Sequence, residues 1–168
     1  MGDNEYYDAW HHLLLPMARE FDPNLILISA GFDAADGDAA GDCHVTPNGF
    51  CQLTRSLKTM TTTTTTVNNS NTHCCGIVAV LEGGYVQSIL GKCVTSVIQT
   101  LLEKSNDDDH HQTSKSTSNT TTTDNNSIDI SLDEIDPVAA KNIRATMVAH
   151  KPYWKCLQQQ DSTTTTKK

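Results

Sequence analysis

The sequence predicts an α/β fold with a parallel sheet flanked by helices, and three observations carry that expectation. Leu25-Ile26-Leu27-Ile28 is a short, unbroken apolar run, the mark of a strand buried on both faces of a parallel sheet. Ile77-Val78-Ala79-Val80-Leu81 repeats the pattern. Around these runs, apolar residues recur at helical spacing, so the order is helix, strand, helix, strand, helix. That order is the logic of a βαβ unit with right-handed crossovers.

Each element has its own signals. Tyr7, Trp10, Leu13, Leu14 and Met17 put one apolar stripe on a helix over Tyr6–Phe21, which Pro16 should bend or restart. Asp22-Pro23-Asn24 reads as a turn into the first strand. Gly31 should then let the chain turn sharply into an acidic, small-residue loop that extends to His44. Thr46 suits an N-cap with Pro47 in the first helical position. The helix that follows should reach Met60, with Phe50, Leu53, Leu57 and Met60 as its buried stripe. After the second strand, Val86–Leu102 should be helical, with Ile89, Leu90, Cys93, Val97, Ile98 and Leu101 inward. A last helix is expected over Pro137–Gln159, anchored by Ile143, Met147, Tyr153 and Trp154 and kinked at Lys151-Pro152.

The apolar blocks divide the chain into regions. Residues 1–104 and the helix at 137–159 form one domain, or part of one. A Thr-rich insertion at 61–72, a low-complexity stretch at 105–136 and a tail at 160–168 bury too little apolar surface to offset their ordering entropy. The Thr-rich insertion is tolerable, because loop closure costs only about 0.6 kcal/mol per doubling of length. Two strands are too few for a free-standing parallel sheet, and neither carries the Lys or Pro that protects an edge. Their neighbours are therefore expected from sequence outside this chain, as in a truncated gene product.

Composition excludes several functions. The net charge is −8 and no basic stripe occurs, which argues against direct nucleic-acid binding. No stretch has the length and apolarity of a membrane span or a secretory signal. The six cysteines are scattered without a CxxC pair, which argues against a cysteine-based zinc site and for reduced thiols. Cys51 and Cys93 fall on apolar stripes and are expected to be buried.

Two residues offer chemistry at the strand ends, where open α/β sheets place ligands. Asp33 follows the first strand and could serve as a metal ligand or cap the next turn. Tyr85 follows Gly83-Gly84 and could donate a hydrogen bond to an oxyanion, or pack at a helix start. His11-His12 sits among Trp10 and Leu13 on the first helix and reads as structural. Asp42-Cys43-His44 has the look of a D-x-H ligand pair but reads as loop, and His110-His111 lies in low-complexity sequence. Asp36 and Asp38 are expected to organise the acidic loop by local hydrogen bonds.

Together these motifs identify a family. Ser29-Ala30-Gly31-Phe32-Asp33-Ala34-Ala35-x-Gly37-Asp38, then Cys43-x-Val45-Thr46-Pro47-x-Gly49-Phe50, then Leu81-Glu82-Gly83-Gly84-Tyr85, resembles class II histone deacetylases. Asp8-Ala9-Trp10-His11-x-Leu13-x-Leu15-Pro16, Glu20-Phe21-x-Pro23, and Ile143-Arg144-x-Thr146 with Lys151-x-Tyr153-Trp154 are similar to the class IIb, tubulin-deacetylase branch. The resemblance implies an arginase/deacetylase-like fold, present only in part, and zinc-dependent hydrolysis of acetyl-lysine. It implies Asp33 as one Zn2+ ligand, Tyr85 as the catalytic oxyanion donor, and Gly83, Gly84 and Ala40 as loop and substrate-channel residues.

The departures are as informative. The segment with the other two zinc ligands and the family's His-His pair are absent, so the chain is expected to be an inactive carboxyl-terminal portion of a catalytic domain. Ala39-Ala40 replaces the usual Pro-Leu and should widen one wall of the acyl channel, and Asp42 stands where Gly is usual. The resemblance further implies an acetylated histone or tubulin substrate, cytoplasmic or nuclear location, and association with an upstream or second deacetylase domain. The alternatives are an acetylpolyamine deacetylase, and a non-catalytic short product that binds a partner through its exposed sheet edge.

Overall fold

The two apolar runs become β1 (Leu25–Gly31) and β2 (Gly76–Gly83). They pair in parallel, from Leu25 opposite Gly76 to Ala30 opposite Leu81, before a bulge sets Gly31 opposite Gly83. The computed structural model describes residues 1–62, 75–103, 132 and 135–159. The Thr-rich segment beyond Thr62, His110-His111, most of the low-complexity stretch and the tail lie outside the described residues.

The first helix starts at Asp3, earlier than the apolar stripe suggests. Glu5 accepts the Gly2 N–H at 2.6 Å and so caps the first turn. α1 (Asp3–Ala9) leads through a π-helical turn (Trp10–Leu14) into α2 (Leu15–Phe21). Pro16 falls in the first turn of α2, directly after the wide π turn, so the chain widens rather than breaks. His11 and His12 lie in that turn, and the His11 ring packs on Tyr7 with centroids 4.2 Å apart. Asp22 ends the helix in the left-handed region, at φ 53°.

α3 (Pro47–Thr62) and α4 (Gln87–Leu102) pack side by side. Thr46 caps α3 by accepting the Gly49 N–H at 3.0 Å. Lys58 on α3 donates to the Thr100 carbonyl at 2.8 Å and to the Glu103 carbonyl, satisfying the carboxyl end of α4. Phe32, Ala35, Cys93 and Val97 form the main core, and the Phe32 and Phe50 rings meet at 5.0 Å. A second cluster is built by Ile135, Ala139, Ala140 and Ile143 around α5 (Pro137–His150), with Ala9 and Met147 against it. A short α6 (Lys155–Gln158) closes the described chain, its first N–H groups held by Glu20 at 3.1 and 2.8 Å.

Several expectations are corrected. The strands are not buried on both faces: Leu27 is 67% exposed and Val80 50%. Their apolarity suits a sheet interior, and the described residues do not cover both faces. Ile98 is 49% exposed, and Thr100 takes the inward place by satisfying its hydroxyl on the Ser96 carbonyl at 2.9 Å. Cys93 is fully buried, whereas Cys51 is half-buried. The last helix divides at Lys151–Tyr153, which leaves Tyr153 79% exposed, and Leu157 anchors α6 instead. The polar stretch expected through 136 ends earlier, because Ile135 is buried and Asp136 caps α5 by accepting the Val138 and Ala139 N–H groups.

Candidate active site

Parallel strands end together, so the loops that leave β1 and β2 meet at one edge of the sheet. The first loop folds back on itself through Val45. The Val45 N–H donates to the Ala34 carbonyl at 3.1 Å, and the Val45 carbonyl accepts the Asp36 N–H at 3.0 Å. Ala35 and Val45, both fully buried, pin the loop to the core. The two loops are joined where the Phe32 N–H donates to the Gly83 carbonyl at 3.1 Å.

Asp33 therefore sits beside the second loop. A Cβ on Gly83 would lie 3.2 Å from the Asp33 carboxylate, and one on Gly31 would lie 3.1 Å from Oδ1. This corrects the role of Gly31: it is the last residue of β1 and gives the carboxylate room, while the turn comes later. Gly41 packs even more tightly on the Asp33 peptide, where a Cβ would stand 2.2 Å from the carbonyl oxygen. Asp33 is thus a carboxylate cradled between two glycines at the sheet edge.

Gly84 makes the turn on the other side, with φ +113°. Its neighbour Tyr85 is 70% exposed, so the phenol is available to a molecule outside this chain. The Tyr85 backbone is fixed all the same: its N–H donates to Asp38 Oδ2 at 2.6 Å. Asp38 is only 4% exposed, and its Oδ1 accepts the Ala40 N–H at 3.0 Å. These N–H donors, Tyr85 foremost, hold the Asp38 carboxyl below the usual carboxylate range.

Asp38 was legible as a loop organiser, but its long-range partner was not. The Ala40 bond is local, as expected, whereas the Tyr85 bond crosses between the loops. No spacing rule links residues so far apart in sequence. Asp36 instead faces out and pairs with His44 at 2.9 Å, so Asp42-Cys43-His44 is loop. Asp42 itself adopts φ 48°, the left-handed region that favours Gly and that Asp tolerates better than most residues. Tyr6 was not singled out from the sequence. Its hydroxyl faces Cys43 Sγ at 3.9 Å, and burial foremost, then the thiol, raises the phenol's pKa.

Asp33, Gly83, Gly84, Tyr85 and Ala40 thus gather in two loops at one end of the sheet. A catalytic zinc takes about three protein ligands. Among the described residues no group of three or more His, Cys, Asp or Glu side chains is placed to hold a metal ion. Asp33 is one such ligand at most, and these residues alone do not hold the ion.

Comparison with known proteins places this arrangement. The histone deacetylase domain profile matches residues 1–101. The chain is 36% identical over 163 residues to human Polyamine deacetylase HDAC10, covering 97% of this chain and 20% of that protein. It is 39% identical over 102 residues to Histone deacetylase HDA1 of Saccharomyces cerevisiae, covering 61% of this chain and 13% of that protein. Among solved structures, the HDA15 HD domain aligns with a TM-score of 0.65 at 27% identity, over 96% of this chain and 36% of that one. The histone deacetylase Clr3 aligns at 0.64 and 26% identity, over 94% of this chain and 21% of that one. The chain thus spans a fifth or less of these curated relatives, and its sheet and helices are part of a deacetylase fold. On sequence and on fold, the chain belongs to the histone deacetylase family.

Proposed function

We propose that this chain is the carboxyl-terminal part of the catalytic domain of a zinc-dependent lysine deacetylase of class IIb type. The observation that supports it most is the meeting of two loops at one sheet edge: Asp33 lies against Gly83, and Tyr85 hangs from Asp38. In this reading Asp33 is one zinc ligand, and the exposed Tyr85 phenol donates its proton in a hydrogen bond to the oxyanion that forms from the acetyl carbonyl. Gly83 and Gly84 let that loop approach the substrate, and Ala40 lines the acyl channel. Zinc, when bound, supplies the Lewis acidity that polarises the amide carbonyl. The remaining ligands and the histidines that move protons come from sequence outside this chain.

The substrate in this reading is an acetylated protein, histone or tubulin, met in the cytoplasm or nucleus, and the chain works in association with an upstream or second deacetylase domain. A second reading is deacetylation of a small acetylated polyamine. The likeness to a protein named a polyamine deacetylase, over nearly the whole of this chain, favours it.

One experiment separates these readings. The native polypeptide that carries this chain is assayed with an acetyl-lysine peptide and with acetylspermidine. Preferred turnover of the peptide supports the first reading and preferred turnover of acetylspermidine the second; turnover of neither overturns both. In the active case, Tyr85→Phe lowers kcat about 100- to 1,000-fold, as the loss of an oxyanion donor does elsewhere. The 168-residue chain alone is expected to bind no stoichiometric zinc and to turn over neither substrate.

A further inference from the structure

α4 begins without a cap of its own. Its N-cap residue is Val86, which has no side-chain acceptor, so the first N–H groups of a 16-residue helix need a partner from elsewhere. The acidic loop comes up against this helix start. Gly37, at φ +88°, lies so close to α4 that a Cβ there would stand 2.8 Å from Ile89 Cδ1. That contact brings the next residue, Asp38, to the helix start.

We infer that Asp38 is a positioning residue for the deacetylase reaction: one carboxylate that fixes the Tyr85 backbone with one oxygen and the Ala40 backbone with the other. The inference rests on the deacetylase reading above, and the geometry carries it. Oδ2 accepts the Tyr85 N–H at 2.6 Å, and Oδ1 accepts the Ala40 N–H at 3.0 Å. Asp38 is 4% exposed, which limits the competition of water for these bonds. It also lies at the positive end of the α4 dipole, where a negative charge is favoured. The exposed Tyr85 side chain has little packing of its own, so its placement depends on where its backbone is held. Asp38 thereby sets the distance between the oxyanion donor and the channel wall.

The test uses Asp38→Asn, which keeps the shape but lacks the second carboxylate oxygen, with Asp36→Asn as the control from the exposed face of the same loop. Amide hydrogen exchange is measured in the native polypeptide that carries this chain. Asp38→Asn should speed exchange at Tyr85 or Ala40 about tenfold or more, with Leu57 and Val97 unchanged, and Asp36→Asn should not. Equal exchange in wild type and Asp38→Asn overturns the inference, as does an equal effect from Asp36→Asn. The kinetic arm places Asp38→Asn in wild-type and Tyr85→Phe backgrounds. On acetyl-lysine peptide, Asp38→Asn alone should lower kcat about tenfold or more with KM within about twofold. In the Tyr85→Phe background it should have no further effect. Additive losses would show that Asp38 does not act through Tyr85 and would overturn the inference. If the wild type turns over no acetylated substrate, the deacetylase reading fails, and the exchange arm still reads the loop geometry. Should Asp38→Asn fail to fold, Asp38→Glu, which keeps the charge one methylene further out, is measured in both arms with the same criteria.

Discussion

Single atoms decide much at the sheet edge. A methyl group on Gly83 would press on the Asp33 carboxylate, so, if Asp33 holds zinc as proposed, Gly83→Ala should displace that ligand without unfolding the chain. The expected outcome is weaker metal retention by the native polypeptide with an unchanged melting temperature, read by metal analysis after dialysis and by calorimetry. Gly84→Ala is harsher. It forces an L side chain to φ +113° and brings a Cβ within 2.9 Å of Leu90 and 3.0 Å of Phe32. A loss of roughly 1–3 kcal/mol is expected in denaturant unfolding. The places of Asp33, Tyr85 and the paired glycines at the strand ends were readable because local motifs carry them. The role of Gly31 was misread because a glycine that makes room for a neighbour and one that turns the chain look alike in sequence. The Tyr85 partner of Asp38 was hidden because it comes from folding two distant loops together.

At the scale of elements, the packing of α3 rests on a few buried side chains, of which Leu57 is one. Leu57→Ala should cost about 2–5 kcal/mol, seen as a lower denaturation midpoint at unchanged slope. Beside the buried Leu157, hydrogen bonds hold α6 to α2. Glu20 accepts the N–H groups of Lys155 and Cys156, and these bonds, Cys156 first, hold its carboxyl below the usual range. A lowered carboxyl stabilises the charged, docked form. Its contribution is full above the ordinary glutamate pKa of about 4.3 and is lost as pH falls through the lower folded-state value. In a Trp10→Phe background, Trp154 emission should therefore shift on acidification below about pH 4, and Glu20→Gln should remove that transition. Helix positions were legible from periodicity. The π turn was not, since apolar spacing is too coarse to register one extra residue per turn.

The whole chain carries an incomplete sheet. Leu25, Leu27, Val78, Val80 and Leu81 are exposed on strands whose composition suits an interior. The isolated chain should bind a hydrophobic dye such as ANS, and Leu27→Lys with Val80→Lys should reduce that signal and the tendency to self-associate. Burial on both faces was a fair inference from the strand sequences, because composition reports the surroundings a strand is suited to, not how much of them one chain supplies. The direction of the sheet has one more consequence. α3 starts at the edge that carries Asp33 and runs back, so its end at Thr62 and the start of β2 at Gly76 both lie at the opposite edge. A change in length between Thr62 and Gly76 therefore enters and leaves the fold at the edge away from Asp33, a strand's length from the loops that carry Asp33 and Tyr85.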